Sequence, residues 1–131
     1  MSFKTAISAI VIVLLIHLVA IVTSFYYIWM PFDMVMHFFG GFAVGLLAVA
    51  LTNHIGDEAP FRRFWVRFLF ALGFVMIIGV FWEFLEFTID HTLGLWYQFS
   101  STQPSLSDTM SDLLMDCLGG IVVFLLFKNR R

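Results

Sequence analysis

Four stretches of the chain are free or nearly free of charged side chains, and they set the element pattern. Thr5 to Phe32 contains no Asp, Glu, Lys or Arg, and Met34 to Gly56 is a second such run. A bilayer-crossing helix needs about 20 mostly apolar residues. Both runs suffice alone and predict spans at about 5–29 and 36–55. Phe68 to Trp82 and Cys117 to Phe127 are only 15 and 11 residues long. They reach membrane length if flanking acids are drawn in. Span three then covers about 64–89 with Glu83 and Glu86, and span four about 107–127 with Asp112 and Asp116. Half-buried hairpin segments would instead expose backbone polar groups to lipid. The expected fold is therefore all-α: a single membrane domain over residues 1–131, a bundle of four transmembrane helices. Lys4 before a long apolar run has the start of a secretory leader. The run is too long and has no clear small-x-small cleavage site, so an uncleaved helix is expected.

Composition agrees. Of 131 residues, 61% are hydrophobic and 12% charged, whereas soluble domains run nearer half apolar and a quarter charged. A single cysteine, Cys117, excludes an intramolecular disulfide and a cysteine-based zinc site. It reads as packing.

Charge is distributed unevenly. All seven basic residues fall on one side of a four-span topology: Lys4, then Arg62, Arg63 and Arg67, then Lys128, Arg130 and Arg131. The positive-inside rule places both termini and the 56–63 loop in the cytoplasm, with an inner (plasma) membrane as the expected location. Tyr26, Tyr27, Trp29, Trp96 and Tyr97 then suit the outer interface and Trp65 the inner one. Asp57 and Glu58 are cytoplasmic. The other seven acids, Asp33, Glu83, Glu86, Asp90, Asp108, Asp112 and Asp116, lie outside or in the outer half of the bilayer, with no Lys or Arg there.

Their spacing is regular. Asp33 and His37 are i,i+4; Glu83, Glu86 and Asp90 are i, i+3, i+7; Asp108, Asp112 and Asp116 are i, i+4, i+8. Each set falls on one helical face, as in bundles that build metal sites from inward carboxylates and histidines. So many carboxylates without a cation in low dielectric must be protonated or neutralised by bound ions. Carboxylates with imidazole suit Mg²⁺, Mn²⁺, Ca²⁺ or Zn²⁺. The candidate metal ligands are Asp33, His37, Glu83, Glu86, Asp90, Asp112 and Asp116, with Asp108 and His91 as outer members. Simpler roles compete: Asp108 and Asp112 suit a helix N-terminus, Ser105 with Asp108 resembles a capping box, and Asp33, Asp90 and Asp108 at the rim can be solvated. His17, mid-span with no acid near it in sequence, reads as a histidine packed against another helix, and His54 as structural. Gly41 and Gly45, and Gly119 and Gly120, read as helix-packing positions. No nucleic-acid signature is present.

The segments "DMVMHFFGG", "EFLEF" and "SDTMSDLLMDCLGG" together resemble the VanZ-like and the related YjdF-like integral membrane proteins, from Asp33 to Gly120. The resemblance carries over to Asp33, His37 and Phe38, to Glu83 and Glu86, and to Asp108, Asp112, Asp116 and Gly119. The chain lacks the Arg that VanZ-like proteins typically carry before the last acidic element, and its carboxylate-rich version looks closer to the YjdF-like set. The resemblance implies a polytopic bacterial membrane protein linked to the cell envelope, without supplying a reaction.

Three functions remain open. One is a metal-dependent hydrolase or transferase of lipid phosphates at the outer leaflet, although phosphate sites usually carry Arg or Lys. The second is a divalent-cation or proton binding or transport element, which would need a homo-oligomer to form a path. The third is a non-catalytic envelope protein that binds a cationic ligand or partner.

Overall fold

The computed structural model describes residues 2–55, 60–94 and 105–127, with backbone alone at 93 and 94. The 56–59 segment with Asp57 and Glu58, the aromatics Trp96 and Tyr97, and the basic residues Lys128, Arg130 and Arg131 lie outside the described residues. The chain is all-helical where described. Helix α1 spans Phe3–Val22, the single turn α2 Phe25–Ile28, α3 Phe32–His54, α4 Phe64–Ile89, and α5 Leu106–Phe127; a π-helical turn, Asp90–Gly94, extends α4. Four of these helices are long and apolar enough to cross a membrane.

The helix ends follow from local chemistry. Ser2 caps α1 by accepting from the Lys4 N–H at 3.2 Å. Asp33 stands in the first turn of α3, where the macrodipole favours an anion. The Ser105 hydroxyl accepts from the Asp108 N–H at 3.2 Å, one half of the expected capping box. The first span differs from expectation, because the helix stops at Val22 instead of running to residue 29. The Thr23 hydroxyl donates back to the Val19 carbonyl at 2.8 Å, and Ser24 is left-handed at φ 56°. Hydropathy could not reveal this break, since Thr23 and Ser24 are uncharged and sit inside an apolar run. The break folds Phe25 and Tyr26 onto Phe32, with ring centroids 4.9 and 5.4 Å apart.

Helix α3 is central. Half of its apolar window (50%) is buried, against 11% for α1. Its closest neighbour is α5, and glycines set that distance. A Cβ on Gly41 would overlap the Asp116 backbone, and one on Gly119 would overlap the Phe38 carbonyl. Gly45 faces Gly120, where a Cβ would lie 3.2 Å from the Gly120 Cα. These small residues let two backbones touch, the usual basis of helix association in lipid.

The molecule has two unlike ends. At one, Phe3 meets His54 with ring centroids 6.0 Å apart, Phe64 meets Phe124 at 5.4 Å, and Arg67 donates to the Asn53 side chain. An apolar core of Ala6, Leu46, Ala48, Val49, Ala71, Val123 and Phe124 fills this half. The start of α3, the end of α4 and the start of α5 meet at the other end, and the acids are there.

Candidate metal centre

His37 stands at the centre of the polar end. It is one turn from Asp33 on α3 and is 5% exposed. Three helices bring carboxylates to it. Its Nδ1 lies 3.3 Å from Asp116 Oδ2 on α5, a hydrogen-bonding distance. Its Nε2 faces Asp33 Oδ1 at 3.9 Å and Glu83 Oε1, on α4, at 3.8 Å. Glu83, Glu86, Asp112 and Asp116 are all buried. The i,i+3 and i,i+4 offsets within α4 and α5 therefore do turn these acids inward.

Two sets of potential ligands can be drawn among the described residues. Asp33, His37 and Asp112 each offer an atom within 4.8 Å of the others, and so do His37, Glu83 and Glu86. Oxygen ligands lie about 2.0–2.6 Å from Mg²⁺ or Ca²⁺, so two ligands on opposite sides of one ion are up to about 4–5 Å apart. Either set has that spread. Asp116 belongs to neither; its carboxylate holds the other nitrogen of the same imidazole.

His37 Nε2 and Asp112 Oδ1 are among the buried atoms that lack a hydrogen-bond partner within the described residues, as is Asp108 Oδ2 at the α5 cap. Buried polar atoms are almost always satisfied, and leaving one unmade costs about 1–3 kcal/mol. His37 Nε2 and Asp112 Oδ1 belong to the same three-residue set with Asp33. A cation there would satisfy both.

The remaining candidates are placed differently. Asp90 opens the π turn and is half-buried. His91 is exposed, bonds through Nδ1 to the Phe87 carbonyl at 2.9 Å and packs on the Phe87 ring. Asp108 is half-buried at the α5 cap. None of these three joins either set.

His17 packs against other helices, as the sequence suggests, but its place beside the cluster was not expected. His17 is hydrogen-bonded through Nδ1 to the Tyr26 hydroxyl at 2.6 Å, and its ring stands edge-on to Trp82 at 5.1 Å. Trp82 Nε1 in turn donates to Glu86 Oε1 at 3.0 Å. Burial pushes the Tyr26 hydroxyl above its ordinary range, and the Asp33 and Glu86 carboxylates add to it, so it stays protonated at neutral pH. His17 and Tyr26 are nine residues apart, about 13 Å along an unbroken helix at 1.5 Å per residue. They meet because the chain turns at Ser24. The Trp82–Glu86 i,i+4 spacing was the one signal in the sequence that pointed here.

A cavity of about 210 Å³ lies beside the cluster. Asp33, His37 and Asp116 line it together with His17, Tyr26 and Trp82, and its remaining walls are largely apolar.

These features define a small helical membrane protein whose buried carboxylate–histidine cluster adjoins an apolar cleft. Residues 3–131 match the family described as "Predicted membrane protein (DUF2238)", and the chain belongs to that family. An uncharacterized protein of Thermotoga maritima is 36% identical over 90 residues, covering 66% of this chain and 42% of that relative. The match thus spans less than half of the relative's length. No solved structure matches the chain significantly.

Proposed function

We propose that the cluster is a divalent-cation site and that the protein acts on lipid phosphates in a bacterial cell envelope. The single observation that carries the cation reading is the pair of buried orphan atoms, His37 Nε2 and Asp112 Oδ1, set among carboxylates from three helices. Acids at bilayer depth cost several kcal/mol unless partnered, and a divalent ion is the partner that the surrounding groups suit. Asp33, His37 and Asp112 would be ligands, and His37, Glu83 and Glu86 form the second set, which shares the imidazole. Asp116 would orient the ring by accepting Nδ1–H, which leaves Nε2 as the coordinating nitrogen. Such carboxylate–histidine–metal arrangements fix the tautomer of a ligand histidine.

A bound divalent ion would polarise a phosphoryl oxygen and activate water. The chain's own contribution is geometric. The glycine-tight α3–α5 contact holds Asp112 and Asp116 rigidly against His37, and Trp82 holds Glu86. Transport is the less favoured use, because the core on the far side of the cluster is apolar, from Leu46 and Val49 to Val123 and Phe124. The resemblance of the sequence to VanZ-like and YjdF-like proteins favours an envelope role, and the one-sided placement of the basic residues favours cytoplasmic termini with the cluster toward the outer leaflet.

The test is metal content of the purified full-length protein. Elemental analysis and a Mn²⁺ titration followed by electron paramagnetic resonance are expected to give one ion per chain. The ion should be lost in an Asp112→Asn/Glu86→Gln double variant. Equal binding by wild type and double variant, or none by either after adding Mg²⁺, Mn²⁺ or Zn²⁺, would overturn the cation reading.

A further inference from the structure

The cavity beside the cluster is a gap between α1 and α4, which both pack on α3 and keep their backbones apart. The gap is floored by Gly40, Ala43 and Val44 of α3 and walled by Ile10, Val13 and Leu14 of α1 and by Val75 and Ile78 of α4. Leu14 and Ile78 line it and are 46% and 41% exposed. Helices α1 and α4 are the least buried of the four candidate spans, at 11% and 22%, so in a membrane hydrocarbon lies beside both walls of the gap. The His17–Trp82 ring contact bridges the two helices at the polar end.

The walls are therefore graded. They are apolar along α1 and α4, and at one end they carry His37, Asp33 and Asp116 together with His17 and Tyr26. An amphiphile has this polarity. At about 210 Å³ the gap is smaller than the roughly 300–1,000 Å³ of pockets that enclose a drug-sized ligand. That is room for a headgroup and the first part of a chain, with the rest of the chain left in lipid.

We propose that the α1–α4 gap is a lateral entry for a hydrocarbon-chain phosphate, which seats its headgroup between His17 and a cation held on His37. This rests on the cation reading above. The cluster has only carboxylates and imidazole, so a phosphate approaches it only through a cation, and charge complementarity then selects an anionic headgroup. His17 is the second contact. In the tautomer whose Nδ1 accepts from the Tyr26 O–H, the ring proton sits on Nε2, where it can donate a hydrogen bond to a phosphate oxygen.

The experiment uses full-length protein in detergent with Mn²⁺, native mass spectrometry to read bound lipid, and a separate Mn²⁺ titration. The probes are phosphatidic acid, a polyprenyl monophosphate, phosphatidylcholine and a trimethylammonium lipid. Ile78→Trp fills the opening from a lipid-facing position, and Leu125→Trp, on an exposed face outside the gap, controls for added bulk. The expected result is retention of one phosphate lipid by wild type and Leu125→Trp. Ile78→Trp and His17→Ala should lose it at least tenfold while still binding Mn²⁺. The preferred phosphate lipid then tells a glycerolipid source from an isoprenoid one. Equal retention by Ile78→Trp and Leu125→Trp, or a preference for the trimethylammonium lipid, would overturn the entry proposal and leave the cation site standing. Mn²⁺ binding absent from wild type would sink the cation reading, and with it the seating on His37.

Discussion

His37 presents two nitrogens to two kinds of carboxylate, and the variants should separate them. Asp112 supplies a buried oxygen with no hydrogen-bond partner among the described residues, so Asp112→Asn removes a ligand and should abolish Mn²⁺ binding. Asp116 touches only the Nδ1 side. Loss of a group that orients a ligand histidine typically costs about 10–100-fold in metal affinity, so Asp116→Asn should weaken binding by that range without eliminating it. His91 is exposed and bonded to its own helix, so His91→Ala should leave the affinity unchanged. All three are read in one Mn²⁺ titration; equal losses for Asp112→Asn and Asp116→Asn would refute the division of roles. That division was not legible in the sequence. The i,i+4 offsets put Asp112 and Asp116 on one face, and one face can supply a ligand or its support. What differs is depth along the helix relative to His37, which depends on how α5 slides on α3.

At the scale of elements, the glycines decide where the carboxylates stand. Gly79 on α4 faces Asp116 on α5, and a Cβ there would lie 2.6 Å from Oδ2. Gly79→Ala should displace that carboxylate and lower metal affinity with little loss of folded protein. Gly73→Ala is the control, because nothing lies within 4 Å of its added Cβ. Gly119→Val acts differently. Its Cβ would collide with α3 backbone at Phe38 and Phe42, which cannot move aside as a side chain can. Overpacking commonly costs about 1–3 kcal/mol, so this variant should melt earlier in detergent, as followed by circular dichroism. The long apolar runs made the four helices legible, and the Gly41/Gly45 and Gly119/Gly120 pairs made close packing legible. The partner of each pair was not, because small residues mark a contact face without naming what meets it. The stop at Val22 was hidden too, and with it the pairing of His17 and Tyr26. A serine in the left-handed region leaves no trace in hydropathy.

Across the whole molecule, charge and chemistry occupy opposite ends. Arg62, Arg63 and Arg67 stand at the end where α3 finishes and α4 starts, and the cluster stands where α3 starts and α4 finishes. If positive charge stays in the cytoplasm, the cluster faces the outer leaflet, and the lipid proposed for it would have to reach that leaflet. Single cysteines in a Cys117→Ala background decide the matter. Pro60 and His91 are both exposed and lie at opposite ends of α4. A membrane-impermeant maleimide applied to intact cells should label His91→Cys, and should label Pro60→Cys only after permeabilisation. The reverse pattern would turn the site toward the cytoplasm. Its headgroup would then come from the inner leaflet, where lipid phosphates are made accessible by different reactions, while the ligand geometry around His37 would stand unchanged. Orientation and chemistry are thus separable questions for this chain: the placement of its arginines bears on the first, and the helix faces its glycines allow to meet bear on the second.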